Sequence, residues 1–305
     1  MSDPTTISHN EDSPRGFLFA LASYLLWGFL PLYMKAMANI PPAEVVANRI
    51  IWSLPIAGLV LILLRRTADL RAALTNPRML AMAASTAALI SVNWGIYVWA
   101  IGAGHALDTA LGYYINPLFS VALGAVLLGE RLTTPQKVAI GLAALAVVIL
   151  TVEAGRLPLT ALALTVTFGF YAYLKKSLPI GPNQGFFLEV LLLVPAALAY
   201  LAWLNWRGES HFMAGSPRDT WLLLGSGLIT AGPLMLYANG AKLLRLSTIA
   251  MMQYISPTMI FLTAVFVFGE PFGQADMIAF PLIWAALAIF TWSMVRGARI
   301  KRPAG

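Results

Sequence analysis

Residues 114–130 read YINPLFSVALGAVLLGE, and 140 residues later positions 254–270 read YISPTMIFLTAVFVFGE. Only five of the seventeen positions are identical, but they include Tyr, Pro, Gly and Glu at a single register. A chance likeness between two apolar helices would instead fall on Leu and Ala. The register extends outward without a gap: Tyr97 matches Tyr237, Ala110 matches Ala250, and Pro55 matches Pro195. One residue more brings Trp27, Gly28, Phe29 and Lys35 over Phe168, Gly169, Phe170 and Lys176. The chain therefore reads as two copies of one unit, residues 16–153 and 154–296, between a flexible tail (1–15) and a basic tail (297–305).

Composition says where such units reside. Of the 305 residues, 59% are hydrophobic and 11% charged, against about a quarter charged in a soluble domain. Apolar runs recur at 16–37, 43–64, 79–101, 108–129, 135–153, 158–176, 185–204, 219–241, 247–269 and 276–295. Each is about the 20 residues needed to cross a ~30 Å hydrocarbon core. The expectation is an all-α integral membrane protein of ten transmembrane helices. Five helices per copy is an odd number, so the second copy enters the bilayer inverted, as in many secondary transporters.

The basic residues orient it. With a cytoplasmic N-terminus, 15 of the 20 lie in inner segments and four, Lys35, Arg156, Arg207 and Arg218, in outer ones, while Arg49 lies within the second span. This positive-inside bias puts both termini in the cytoplasm. The formal net charge of +7 is spread over short loops, which speaks against a nucleic-acid partner. The chain has no cysteine, so disulfides and thiolate metal sites are excluded, and no cofactor or metal is expected. The partners expected are a small-molecule solute and the lipid bilayer, with room left for a homodimer.

Polar groups are costly in hydrocarbon and mark wet or paired positions. In the fourth span Thr109, Tyr113, Asn116 and Ser120 fall on one helical face, and the mates of the middle pair, Gln253 and Ser256, are also polar. Tyr113, Asn116, Gln253 and Ser256 either line a central solute cavity or hydrogen-bond neighbouring helices as packing contacts. Asn93 and Tyr97 share a face of the third span, Tyr237 supplies a ring from the eighth, and Tyr24 and Trp27 add an aromatic wall. Pro117 and Pro257 follow the polar residues directly and are candidate hinges, since each removes a backbone donor. Arg49 lies about 5 residues into its span, ~8 Å at the helical rise. It either binds a substrate carboxylate or snorkels to the outer interface. Glu189, its repeat mate, is a candidate proton-coupling acid or a static partner of Lys175 or Lys176. Glu130 and Glu270 read as helix boundaries.

The stretches LLWGFLPLYMK, VVANRIIWS, NWGIYVWA, LGYYINPLFSVALGAVLLGERL and QYISPTMIFLTAVFVFGEP resemble the RarD branch of the EamA-type transporters, in the drug/metabolite transporter superfamily. The resemblance covers nearly the whole chain after the tail. It implies a multi-pass permease of the bacterial inner membrane, commonly an exporter of small amphipathic metabolites or drugs, working by alternating access. It names no substrate, direction or coupling ion. A membrane enzyme is the main alternative. The chain has no HExxH, GxSxG or P-loop, and no enzymatic activity is expected. A non-transporting receptor or scaffold would not need polar stripes in both halves.

Overall fold

The computed structural model describes residues 13–300 apart from 66, 129–131, 178, 215, 242 and 245–251. Tail residues 1–12 and 301–305, Glu130 and the repeat mates Ile249 and Ala250 lie outside the described residues. Among the described residues the structure is entirely helical, with no strand. The helices are α1 (Pro14–Lys35), α2 (Pro42–Leu63), α3 (Ala68–Thr75), α4 (Pro77–Gly102), α5 (Ala106–Leu128), α6 (Thr134–Ala154), α7 (Leu159–Ser177), α8 (Pro182–Trp206), α9 (Pro217–Ala241), α10 (Ile255–Leu262) and α11 (Gln274–Ile300), with a π turn over Thr263–Val267 continuing α10.

Helix starts follow local chemistry. Pro14, Pro42, Pro77, Pro182 and Pro217 each open a helix, where the absent N–H has no intrahelical partner to lose. Asn76 Oδ1 caps α4 by accepting from the backbone N–H of Arg78 and Met79 at 3.0 and 3.1 Å. Thr133 and Gln136 form a capping box on α6, which satisfies two otherwise orphaned groups at that end.

Among the described residues eight helices, α1, α2, α4, α5, α6, α8, α9 and α11, are long and apolar enough to cross a membrane. Two of the ten expected spans are shorter: the apolar part of α7 covers Leu159–Lys175, and the ninth is described as an apolar stretch over Ile255–Val267. The expected loop between the second and third spans contains α3. Its Leu70 and fully buried Ala73 pack against Leu188, Met79 and Leu80, so a segment too short to cross the bilayer still gains from covering apolar surface.

The helices interleave. α1 packs along α9, α2 along both α8 and α9, α4 along α7 and α8, α5 along α7, α10 along α1 and α5, and α6 along α11. Small residues allow the closest approaches. A Cβ added at Gly28 of α1 would collide with Met259 of α10, and one added at Gly169 of α7 would collide with Phe119 of α5. Large apolar side chains such as Leu63, Val126, Val152 and Phe266 point outward, which suits lipid as the surrounding solvent.

Candidate functional site

Buried polar and aromatic side chains gather where α2, α4, α5, α7, α8 and α9 meet. Arg49 of α2 is 3% exposed, so the reading in which it snorkels to the interface is overturned: its guanidinium lies in the protein interior. Its Nε donates to Thr230 Oγ1 of α9 at 2.9 Å, and the Trp94 ring of α4 lies 4.9 Å from its Cζ. Thr230 Oγ1 donates in turn to the Ser226 carbonyl at 2.7 Å, which leaves its lone pair directed at Arg49. Among the described residues Arg49 Nη1 has no hydrogen-bond partner, and no carboxylate pairs with Arg49 there.

Tyr97 and Tyr113 lie within electrostatic range of the guanidinium. Their ring centroids are 6.0 Å apart, and the track of rings continues from Tyr113 to Phe168 at 6.2 Å and from Phe168 to Tyr171 at 5.7 Å. Tyr113 Oη donates to Asn93 Oδ1 at 3.4 Å, and Asn93 Nδ2 donates to the Leu164 carbonyl and to Thr167 Oγ1 of α7 at 3.1 and 2.9 Å. Tyr97 Oη and Asn116 Oδ1 are buried and have no hydrogen-bond partner among the described residues. Asn116 faces α7 beside Gly169.

The far end of the aromatic track is charge-compensated. Glu189 Oε1 accepts from Lys175 Nζ at 2.6 Å and Oε2 from Tyr171 Oη at 3.3 Å. A carboxylate that is 1% exposed is held there by a cation and a hydroxyl, as buried charges require.

Other candidates lie elsewhere. Ser256 Oγ donates to the Tyr24 carbonyl of α1 at 2.7 Å, a packing contact, so it does not face Asn116 across an open cavity. Gln253 is half-buried in the turn before α10. The Tyr237 ring packs on Tyr24 and Trp27 of α1 at 6.0 and 5.7 Å and lies within electrostatic range of Tyr171. Pro117 lies inside an unbroken α5. Pro257, in contrast, lies in the first turn of α10, directly after the turn at Gln253 and Tyr254. Glu270 does more than end a helix. Gly269 (φ 65°) turns the chain, and the two Glu270 carboxylate oxygens accept from the backbone N–H of Ala106 and Leu107 at 2.7 Å each. This caps α5, whose N-terminal partial charge favours an anion.

Trp94, Thr230 and Tyr171 were not anticipated. Ser226 and Thr230 at i, i+4 mark a polar face of α9 that could have found Thr230. Trp94 is one residue from Asn93, and an aromatic in an apolar helix carries no separate signal. Two cavities, of about 660 Å³ between α5, α10 and α11 and about 520 Å³ beside His105, Asp108, Glu153 and Arg156, are lined by neither Arg49 nor Glu189. Arg49, Asn93 and Tyr97 are themselves shielded from solvent in this conformation.

Comparison with known proteins identifies relatives. Residues 14–152 match the EamA-like transporter family. The chain is 39% identical over 287 residues to Protein RarD of Streptomyces exfoliatus, covering 94% of this chain and 91% of that one. It is 38% identical over 294 residues to an uncharacterized transporter of Vibrio cholerae, covering 96% and 97%, and 36% identical over 285 residues to Protein RarD of Escherichia coli, covering 93% and 96%. A solved crystal structure shares the fold with a TM-score of 0.58 at 19% identity, covering 94% of this chain and 99% of that one.

Proposed function

The chain belongs to the EamA-like transporters, in the RarD group of the drug/metabolite transporter superfamily, and on that premise we propose that it is a secondary active transporter of small amphipathic metabolites or drugs, working by alternating access. That it is a multi-pass membrane transporter follows from its relatives and its apolar helices. The finer reading has ten spans as two inverted repeats of five, both termini in the cytoplasm, a bacterial inner-membrane location and a solute path between the halves. No enzymatic step belongs to it.

The observation that carries this reading is the buried polar interior built by both halves. Arg49 of α2 meets Thr230 of α9, and Asn93 of α4 meets Thr167 of α7. Such groups are costly in a membrane unless they face a partner or a wet cavity, and three of them keep unpartnered atoms, Arg49 Nη1, Tyr97 Oη and Asn116 Oδ1, among the described residues. Packing supports the repeat. If α1 corresponds to α7, α2 to α8, α4 to α9 and α5 to α10, then α1 on α9 mirrors α7 on α4, and α1 on α10 mirrors α7 on α5. The Gly28–Met259 and Gly169–Phe119 contacts are related in the same way. Alternating access then needs the two sets of interleaved helices to rock about this interior. Pro117 is placed to loosen α5 during that motion.

Purified protein in proteoliposomes tests the proposal by solute counterflow across a metabolite and drug panel. The expected result is movement of at least one solute without chemical conversion, lost in Asn116→Leu at unchanged insertion. Conversion of a solute, or equal counterflow in Asn116→Leu, would contradict it.

A further inference from the structure

We propose that the interior site is built for a solute bearing one carboxylate, held by Arg49 and the Tyr97 hydroxyl with its apolar body against the neighbouring rings; this deepens the transport reading and rests on its placement of the solute between the halves. Three observations converge. Arg49 is a cation sealed in the interior, with Nε committed to Thr230 and Nη1 open. Tyr97 Oη, 3% exposed for the residue as a whole, is a second buried donor without a partner among the described residues. The Trp94 ring covers the guanidinium at 4.9 Å, which excludes water from that face and strengthens any charge-assisted contact on the remaining edge.

Charge balance selects the ligand. A buried cation without a counterion is costly, and a monoanion restores neutrality, whereas a phosphate dianion would leave a net negative charge in hydrocarbon. A planar carboxylate offers two oxygens, matching a guanidinium donor and a hydroxyl donor. The rings that follow, Tyr97, Tyr113 and Phe168, suit an aromatic or branched apolar body. The other half offers no equivalent, because Glu189 and Lys175 already neutralise each other at 2.6 Å.

The test measures binding to the purified full chain by thermal shift and tryptophan fluorescence. The probes are 3-phenylpropionate, phenylalanine and N-acetylleucine, each beside its amide, with chloride and inorganic phosphate as further probes. At least one acid should stabilise the protein and perturb tryptophan emission while its amide does neither. Arg49→Gln should abolish the effect, and Arg49→Lys should weaken it about tenfold, since an ammonium lacks the planar fork. Tyr97→Phe should weaken it about tenfold without lowering the ligand-free melting temperature, the hydroxyl having no hydrogen-bond partner to lose among the described residues. That variant decides the matter if Arg49→Gln fails to fold. Equal binding of acid and amide, undiminished binding in Arg49→Gln or Tyr97→Phe, a response to no acid, or a chloride or phosphate response as large as the best acid's would each overturn the assignment. Acids that bind but are not moved in proteoliposomes would reject transport and keep the carboxylate site; neutral amides moved as fast as acids would do the reverse.

Discussion

Arg49 and Glu189 stand 140 residues apart, at corresponding places in the proposed repeat, and the molecule treats them oppositely. Glu189 is closed into an ion pair with Lys175 and a hydrogen bond from Tyr171. Arg49 has a threonine and an aromatic face, but no counter-charge among the described residues. Corresponding places in the proposed repeat therefore do not imply the same chemistry. One half holds its charge in a finished contact, and the other keeps donors open in the same kind of buried setting.

The largest expected effect separates these two charges by stability. Glu189→Gln leaves Lys175 without its carboxylate, and breaking a buried pair from one side costs roughly 3 kcal/mol. Melting of the detergent-solubilised protein should show a clear loss, mostly recovered when Lys175→Met is added. Arg49→Gln removes a charge with no counter-charge among the described residues, so no opposite charge is stranded and its melting temperature should fall far less than that of Glu189→Gln. If both single variants lose stability equally, the contrast between finished and open charge is wrong. A Glu189 that couples protons would add a change in the pH dependence of transport in the recovered double variant; a static pair would not.

A middle-sized effect tests whether the halves correspond in packing. Overpacking costs about 1–3 kcal/mol, and both Gly169→Ala and Gly28→Ala bring a methyl group into the opposing helix. Gly169→Ala meets the rigid Phe119 ring, and Gly28→Ala meets Met259 at its Cβ, 2.8 Å away and fixed to the backbone, so neither clash is relieved by a rotamer change and both should cost well above the lower limit. Thermal melts that leave either variant unchanged would remove that helix contact from the proposed correspondence.

The smallest effect contrasts the polar positions of α5 and α10. Ser256→Ala loses one hydrogen bond to the Tyr24 carbonyl, worth about 1 kcal/mol, and counterflow at matched protein levels should be unaffected. Loss of transport in Ser256→Ala, with its fold intact, would return Ser256 to the solute path.

Much of this was legible in the sequence because bilayer length and period are strong constraints. The apolar runs anticipate eight helices of crossing length to within a few residues. The exceptions have local causes. α3 forms because Leu70 and Ala73 find apolar neighbours, which no hydropathy average over a loop reveals. The turn at Gly269 and the reach of Glu270 back to cap α5 rest on contacts between residues 163 and 164 positions apart, which no local pattern reveals. In the site, helical phase brought out Asn93, Tyr97 and Tyr113, which the fold gathers near Arg49, and Asn116, which it sets beside Gly169 of α7. It could not tell a side chain facing the interior from one facing an adjacent helix, which is why Ser256 and Tyr237 end against α1.

Since the chain has no cysteine, a single Thr167→Cys substitution places one thiol beside Asn93 in the polar interior. Labelling it with a membrane-impermeant methanethiosulfonate in vesicles of each orientation tests alternating access most directly. The expected result is reaction from the cytoplasmic side and, separately, from the outer side, with a transported solute slowing both. Reaction from neither side, or from one side only and indifferent to solute, would contradict a path between the halves.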